Sequence, residues 1–136
     1  MSNYEQTLSI IKPDAVERNL DNEIKEIFKK NGFKILKEKK IKIEKSEAEQ
    51  FYKVHETKPF YSDLCSYLSS GPIVVMVLEK DNSVLANREL MGATNPKEAS
   101  EGTLRKKFGI SIDKNSVHGS DSIENAKKEI EFFFKD

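Results

Sequence analysis

The chain has 136 residues, with 23 Lys and Arg balanced by 23 Asp and Glu, so its formal net charge is zero. This length predicts one compact domain over residues 1–136, and zero charge argues against nucleic acid as the main partner, because general nucleic-acid binders carry a basic excess. Cys65 is the single cysteine, which excludes an intrachain disulfide and a multi-cysteine metal site. The longest apolar run, residues 73–78, is far shorter than the ~20 residues of a membrane span. Residues 1–5 lack the pattern of a secretion signal, and we expect a cytoplasmic protein without membrane contact.

The N-terminal segment predicts a strand followed by a helix. Residues 7–11 form a short apolar run typical of a buried strand. Pro13 ends the strand, because proline cannot continue a β-ladder. Asp21 is a candidate helix cap and Gly32 a candidate stop. The apolar face of this helix comprises Ile24, Ile27 and Phe28.

A second strand and two helices are predicted next. Residues 33–43 alternate apolar and charged side chains like a half-buried strand, and the alternation slips near residues 39–40, which predicts a bend or bulge. The motif Ser46-Glu47-Ala48-Glu49 resembles a capping box that opens a helix. One face of this helix carries Ala48, Phe51, Tyr52 and His55. Pro59 starts another helical stretch, which Gly71-Pro72 ends.

The second half of the chain is organised around a central strand. Residues 73–78 are apolar without polar alternation, which predicts a strand covered on both faces. A helix over about residues 84–91 and a loop over residues 95–102 follow. We expect one or two helical turns over residues 102–108 and a short strand over residues 116–118.

The last helix completes the predicted fold. Asp121 and Glu124 are expected to open it. Its predicted core face carries Ile123, Ala126, Ile130 and Phe133. The element order contains two split βαβ units and predicts an α/β or α+β sandwich, with a ferredoxin-like βαββαβ arrangement. In this arrangement a four-stranded antiparallel sheet is covered by helices, which we expect on one face; the pattern leaves the strand order open.

Three motifs together resemble the nucleoside diphosphate kinase family. The most specific is Asn115-Ser116-Val117-His118-Gly119-Ser120-Asp121-Ser122, and it occurs with Lys12-Pro13-Asp14 and Gly92-Ala93-Thr94-Asn95-Pro96. The resemblance covers residues 7–133. It implies a cytoplasmic phosphotransferase that moves the γ-phosphoryl group of a nucleoside triphosphate, usually ATP, to a nucleoside diphosphate by a ping-pong mechanism through phosphorylated His118. It also implies Mg²⁺ carried by the nucleotide and a homo-oligomer, either a tetramer or a hexamer.

His118 has the chemistry that this reaction needs. Neutral imidazole is a good nucleophile, and a hydrogen bond to one ring nitrogen selects the tautomer in which the other can attack. The resemblance makes Ser120 and Glu129 the orienting pair and places the Tyr52 hydroxyl near the histidine. Outside this motif, a histidine at a strand end is ordinarily a solvent-exposed residue. The alternative for Glu129 is likewise an ordinary surface residue in contact with solvent. His55 belongs to a different predicted helix and is not expected within reach of His118.

The arginines are the other candidates for phosphate chemistry. Only three of the 23 basic residues are arginines, and they are Arg18, Arg88 and Arg105. Guanidinium offers a planar fork that matches phosphate oxygens, and the resemblance assigns Arg88 and Arg105, but not Arg18, to the β- and γ-phosphates. Arg88 lies on the helix face that we expect to point toward the protein. The resemblance gives three further residues polar contacts with phosphate or ribose: Lys12, Thr94 and Asn115. No glycine-rich phosphate loop is present in the sequence.

Phe60 is the candidate for contact with the base. By resemblance its ring stacks on the nucleobase, and stacking tolerates every base. Leu64 and Ile112 either line the same slot or pack in the core. The chain departs from the family pattern at four positions, which are Ser62-Asp63, Glu101 and Lys106. We expect the departures to affect the loop over the base and the contacts between subunits.

Two other functions remain open on the sequence. One is a catalytically idle family member that acts as a binding or regulatory protein. The other is a nucleotide-binding module that lacks transfer activity, which would need the arginines but not the histidine. All four of the residues Lys12, Arg88, Arg105 and His118 are present, which favours the enzyme.

Overall fold

The computed structural model describes residues 4–112 and 114–134. Its centre is a four-stranded sheet in the order β2-β3-β1-β4. The strands are β1 (Tyr4–Ile11), β2 (Lys34–Ile41), β3 (Ile73–Asp81) and β4 (Val117–Gly119). Every neighbouring pair of strands is antiparallel, which confirms the predicted sheet. The two inner strands, β3 and β1, are therefore the ones that hydrogen-bond on both edges.

Helices connect the strands in the predicted order. The α-helices of the described residues are α1 (Pro13–Glu17), α2 (Asp21–Lys30), α3 (Lys45–Phe51), α4 (Tyr61–Leu68), α5 (Ser83–Met91), α6 (Leu104–Phe108) and α7 (Ile123–Phe133), with 3-10 helices at Lys53–His55 and Pro96–Glu98. Helix α1 is an addition to the prediction. Pro13 does end β1, but its fixed φ and missing N–H also suit the first position of a helix, so the turn continues as one.

The core has two halves, one on each face of the sheet. Alternate residues of β3 divide between them, because successive side chains of a strand point to opposite faces. One half contains Ile11, Ile24, Phe28, Val74, Met76, Leu78 and Met91. The other contains Leu8, Ile10, Ala48, Leu68, Ile73, Val75 and Phe133. The expectation that helices cover only one face is therefore wrong, whereas the prediction that residues 73–78 are covered on both faces is confirmed.

Three predicted helix starts are displaced by one or two residues. Asp21 is the first residue of α2 and Leu20 its cap, and the Glu47 side chain accepts the N–H of Glu44 at 3.1 Å, so the capping box precedes the predicted motif. Ser122, rather than Asp121, caps α7 by accepting the N–H of Asn125 at 3.1 Å. Several polar residues lie around each helix start, so the sequence locates the start only to within one or two residues.

Two further details differ from the prediction. The β-bulge lies between Ile35 and Lys37, rather than at residues 39–40. Ile123 is 52% exposed and does not face the core, whereas Ala126 and Phe133 are buried as expected. Within residues 4–112 and 114–134, the helices are too short and too polar to span a membrane.

Candidate active site

His118 lies on β4, opposite Ile10 of β1. Its Nε2 atom is 3.2 Å from Oε1 of Glu129 on α7. An ionised carboxylate can only accept hydrogen bonds, so this contact favours the tautomer with the proton on Nε2. The lone pair is then on Nδ1, and the ring is ready for nucleophilic attack at that atom. The structure therefore brings together the predicted histidine and the predicted glutamate.

Ser120 fixes the carboxylate that holds the ring. Its hydroxyl donates to Oε1 of Glu129 at 2.7 Å and accepts the N–H of Leu8 at 3.2 Å. The N–H of Ser120 donates to the carbonyl oxygen of Leu8, also at 3.2 Å. Ser120 is fully buried, so it anchors Glu129 to strand β1. The predicted pair of orienting residues thus forms one connected network with His118.

Two aromatic rings from the end of α3 stand edge-on to the His118 ring. The ring centroid of Phe51 is 5.4 Å from that of His118 at an interplanar angle of 73°, and Tyr52 is at 6.2 Å and 84°. Tyr52 is 6% exposed. Burial, followed by the nearby charge of Glu129, raises the pKa of the Tyr52 hydroxyl. Tyr52 therefore keeps its proton at neutral pH, and its ring lies beside the histidine ring.

Lys12 and Asn115 form a buried polar pair beside the histidine strand. Nζ of Lys12 donates to Oδ1 of Asn115 at 3.0 Å, and Nδ2 of Asn115 donates to the carbonyl oxygen of Thr94 at 3.1 Å. Lys12 is only 6% exposed, so its cation is held in place rather than solvated. Thr94 is exposed. Hydrogen bonds thus link Lys12, Asn115 and Thr94, three residues from distant parts of the sequence that are predicted to contact phosphate or ribose.

Arg105 is a half-buried cation tied to two backbone segments of the site. Its Nη1 donates to the carbonyl oxygen of Gly92 and its Nη2 to that of Val117, both at 3.0 Å. Its Nε is buried and has no partner among the described residues. Burial, and then the charge of Arg88, lowers the pKa of Arg105 to about 10, so the guanidinium is still charged at neutral pH. A phosphate between the two arginines would relieve their repulsion.

Arg88 does not point into the protein as the helix face predicted. It lies on α5 and its side chain is exposed. The unpaired charge is therefore solvated, and the predicted burial is wrong. The helix face expected to be inward is occupied instead by Val84, Asn87 and Met91, which are buried. Exposure leaves the Arg88 guanidinium accessible to a ligand.

Phe60 lies at the rim of the site rather than against His118. It is 44% exposed at the start of α4, and its ring centroid is 6.0 Å from that of His55. His55 in turn is 6.3 Å from Tyr52. Ile112 is 54% exposed and Leu64 is half-buried. Core packing is therefore wrong for Ile112, and the exposed ring of Phe60 is accessible for stacking.

A cavity of about 270 Å³ adjoins His118. Its lining includes seven residues that the sequence reasoning did not assign to the site: Gln50, Phe51, His55, Asp121, Asn125, Lys128 and Phe132. His55 lines the same cavity, because the 3-10 helix after α3 brings it there. A histidine three residues after Tyr52 on a helical segment was the available signal. Lys12, Arg88 and Arg105 do not line this cavity. Lys12 and Arg105 are held instead by Asn115 and Val117, which precede the histidine in the chain.

Arg18 has a structural environment that differs from those of the other two arginines. Its Nη2 donates to the Asp14 carboxylate at 3.1 Å, to the carbonyl oxygen of Phe108 at 2.6 Å and to the hydroxyl of Ser116 at 3.2 Å. Its Nε donates to the carbonyl oxygen of Asp14 at 2.9 Å. Arg18 therefore connects segments behind the histidine strand, and its substitution is not a neutral control.

The departures from the family pattern lie on the surface. Ser62, Asp63, Glu101 and Lys106 are all exposed. Asp63 lies in the first turn of α4, where a negative charge is favourable next to the helix dipole. Ser62 accepts a hydrogen bond from Lys45 of α3 at 3.3 Å. The segment that contains Ser62 and Asp63 is therefore a regular helix with its own stabilising contacts.

The chain is similar in sequence and in fold to known proteins. A sequence model of the family described as nucleoside diphosphate kinase matches residues 5–136. A nucleoside diphosphate kinase of Campylobacter fetus subsp. fetus is 58% identical over 130 residues, which cover 96% of this chain and 95% of the relative. A crystal structure of the Aquifex aeolicus nucleoside diphosphate kinase superposes with a TM-score of 0.95 at 38% identity, covering 97% of this chain and 96% of that one. The nucleoside diphosphate kinase of Encephalitozoon cuniculi gives 0.93 at 37% identity, covering 97% and 90%.

Proposed function

The chain belongs to the nucleoside diphosphate kinase family, and from that premise we propose that His118 carries the phosphoryl group between nucleotides. The enzyme transfers the γ-phosphoryl group of a nucleoside triphosphate, usually ATP, to a nucleoside diphosphate. The contact of Nε2 of His118 with Oε1 of Glu129 at 3.2 Å is the observation that supports the assignment most directly. It leaves Nδ1 as the ring nitrogen with a lone pair for phosphorus.

The first half-reaction follows from this tautomer. Nδ1 of His118 attacks the γ-phosphorus, the bond from that phosphorus to the β–γ bridging oxygen breaks, and the diphosphate leaves with the electron pair. The imidazole gains positive charge as the new bond forms, and the Glu129 carboxylate on Nε2 stabilises that charge. In the second half-reaction a terminal oxygen of the acceptor diphosphate attacks the same phosphorus, and the bond to Nδ1 breaks. Ser120 contributes by holding Glu129.

The cations of the site are assigned to the phosphates. Lys12 contacts the transferred group, Arg88 and Arg105 contact the β- and γ-phosphates, and Thr94 and Asn115 contribute polar contacts to phosphate and ribose. Support comes from the hydrogen bonds that hold Lys12 and Arg105 beside the histidine strand. Preassembled cations stabilise transition-state charge without a reorganisation cost at the moment of reaction.

The Tyr52 hydroxyl is assigned as a hydrogen-bond donor in the catalytic site. Its edge-on position against His118 and the raised pKa of its phenol support this role. Phe60 is assigned to stacking on the base, and its exposed ring at the rim supports that role. Both aromatic side chains come from the α3–α4 region of the chain.

Mg²⁺ is proposed to enter the site bound to the nucleotide. Within the described residues, no group of three or more His, Cys, Asp or Glu side chains is placed to hold a metal. In other enzymes Mg²⁺ is commonly held by substrate phosphates together with few protein ligands. Bound there, Mg²⁺ would neutralise phosphate charge. Assembly into a homo-oligomer, as a tetramer or hexamer, and a cytoplasmic location are proposed from the family resemblance.

The deciding experiment is labelling with ATP that carries a radioactive γ-phosphate. The purified protein should retain a label that acid removes and base does not, and addition of a nucleoside diphosphate should discharge it to the triphosphate. His118→Ala should accept no label although the protein folds and binds nucleotide. His55→Ala is the matched control, because His55 lines the same cavity, and it should still be labelled. Label on His118→Ala, or none on the wild type, would refute the assignment.

A further inference from the structure

The backbone at Ser116 has a conformation that serine rarely adopts. Its φ angle is 75°, which lies in the left-handed region that favours glycine. The N–H of Val117 donates to the carbonyl oxygen of Asn115 at 2.9 Å. This bond closes a γ-turn, and the form with positive φ at its centre is rare and strained. Ser116 is fully buried, so the surrounding groups must hold the conformation.

The groups that hold Ser116 belong to Asp14 and Arg18. The Ser116 hydroxyl donates to Oδ2 of Asp14 at 2.7 Å and accepts from Nη2 of Arg18 at 3.2 Å. The carbonyl oxygen of Ser116 accepts the N–H of Lys12 at 2.8 Å. Arg18 and Asp14 also pair with each other at 3.1 Å, and Asp14 is only 5% exposed. The hydroxyl and the carbonyl oxygen of Ser116 are therefore both held by residues of the segment that follows β1.

The residues on either side of Ser116 hold two cations of the site, the buried Lys12 and the half-buried Arg105. Oδ1 of Asn115 accepts from Lys12, and the carbonyl oxygen of Val117 accepts from Arg105. The γ-turn sets the position of both acceptors at once, and the next residue is the histidine. A change of conformation at Ser116 would therefore move Lys12, Arg105 and His118 relative to one another.

We propose that Asp14 and Arg18 act through the Ser116 hydroxyl as a positioning clamp for phosphoryl transfer. The clamp holds the turn at residues 115–117 and thereby keeps the amino group of Lys12 and the guanidinium of Arg105 in register with His118. This inference rests on the proposed function, because it concerns the rate at which His118 is phosphorylated. A misplacement of about 1 Å in such groups can slow a reaction about a hundredfold.

Two substitutions of Ser116 separate the clamp from the turn that it holds. Ser116→Ala removes the hydroxyl but keeps a Cβ atom, which disfavours the positive φ. Ser116→Gly also removes the hydroxyl, but glycine adopts this φ without strain. In single-turnover phosphorylation by ATP, we expect Ser116→Ala to be slower than the wild type by about tenfold or more, and Ser116→Gly to recover to within about threefold of it.

Tyr67→Phe is the matched control. The Tyr67 hydroxyl hydrogen-bonds the Asp14 carboxylate and accepts the N–H of Asp14 at 2.9 Å, but in the described structure it makes no hydrogen bond to Ser116. Its loss should lower the melting temperature and leave the phosphorylation rate within about threefold of the wild type. If Ser116→Ala does not fold, Asp14→Asn replaces it. Asp14→Asn should slow the wild type strongly and the Ser116→Gly variant little, because glycine does not need the clamp.

The outcomes distinguish this inference from the proposed function. A wild-type rate in Ser116→Ala, equal slowing in the alanine and glycine variants, or slowing of Tyr67→Phe to the same degree would overturn the clamp. If Asp14→Asn is used, equal slowing of both backgrounds would overturn it. Each of these results leaves the label on His118 of the wild type intact. Failure of the wild type to be labelled at His118 would instead overturn the proposed function.

Discussion

Oε1 of Glu129 lies 3.2 Å from Nε2 of His118 and also accepts the hydroxyl of Ser120 at 2.7 Å. A carboxylate accepts only, whereas a glutamine amide can present N–H to Nε2 and select the wrong tautomer. Glu129→Gln should therefore slow the phosphorylation of His118 by roughly ten- to a hundredfold, or about 1.4 to 2.8 kcal/mol of barrier. Ser120→Ala should have a smaller effect in the same direction. Rapid-quench measurement with labelled ATP checks this, and an unchanged rate in Glu129→Gln would show that the carboxylate does not orient the ring.

Steady-state kinetics should be of the ping-pong type. A covalent phosphohistidine requires the first nucleotide to leave before the second reacts. Double-reciprocal plots of rate against the triphosphate, at several fixed concentrations of the diphosphate, should give parallel lines. Intersecting lines would indicate direct transfer in a ternary complex. Exchange of label between ATP and ADP, with no other nucleotide present, is the independent control.

Phe60→Ala should weaken all nucleotides by a similar factor. Stacking of a base on an aromatic ring contributes ~1–3 kcal/mol and does not depend on base identity. Phe60 is 44% exposed, so we expect the lower half of this range. Equilibrium binding of ADP, GDP, CDP and thymidine diphosphate tests the prediction. The same measurement on Ile112→Ala compares a second exposed apolar side chain. A loss restricted to purines would contradict stacking and indicate recognition of base edges.

The regular elements and the reactive residues could be predicted from local sequence, whereas the contacts that hold the site could not. The apolar run at residues 73–78 is sufficient to predict a central strand, and the His118 motif is sufficient to propose the nucleophile. By contrast, Arg105 is anchored to the carbonyl oxygen of Gly92, and backbone carbonyls have no sequence signature. The structural contacts of Arg18 could not be predicted either, because its partners Phe108 and Ser116 are far away in the chain.

Exposure was the second property that sequence could not settle. Arg88 and Ile123 both occupy positions that helical periodicity turns toward the core, yet both are exposed. The buried part of each helix is therefore narrower than its periodicity predicts. Periodicity gives the spacing of a face, and tertiary packing decides how wide the buried part is.

Tyr52→Phe should change the response of stability to alkaline pH. Burial, and then Glu129, raises the pKa of Tyr52 in the folded protein, while in the unfolded chain it ionises near its ordinary value of about 10. Above about pH 10 the folded state therefore binds more protons than the unfolded state, and the free energy of unfolding falls as pH rises. One such group contributes at most about 1.4 kcal/mol per pH unit. Phenylalanine cannot ionise, so urea unfolding from pH 9 to pH 11 should show a shallower decline, and identical slopes would contradict the prediction.

Arg88→Lys and Arg105→Lys distinguish catalysis from binding. Lysine keeps the positive charge but loses the planar fork, and in Arg105 it also loses the bonds to Gly92 and Val117. If the fork acts mainly on charge that develops during transfer, the loss falls on the chemical step more than on ground-state affinity. We expect the rate of His118 phosphorylation to fall by roughly ten- to a hundredfold in each variant, with a smaller loss of equilibrium nucleotide binding.

Lys107→Arg is the control for these two variants, because Arg18 is unsuitable. Lys107 is an exposed residue of the same short helix as Arg105, and its Nζ lies 4.0 Å from the carboxylate of Glu23. Its exchange should leave both rate and affinity unchanged. Arg105→Lys should be the more damaged of the two arginine variants, since Arg105 also joins Gly92 to the histidine strand, whereas Arg88 is exposed on α5. Equal losses of rate and affinity would mean that the arginines only bind substrate, and no loss in either would mean that the phosphates bind elsewhere.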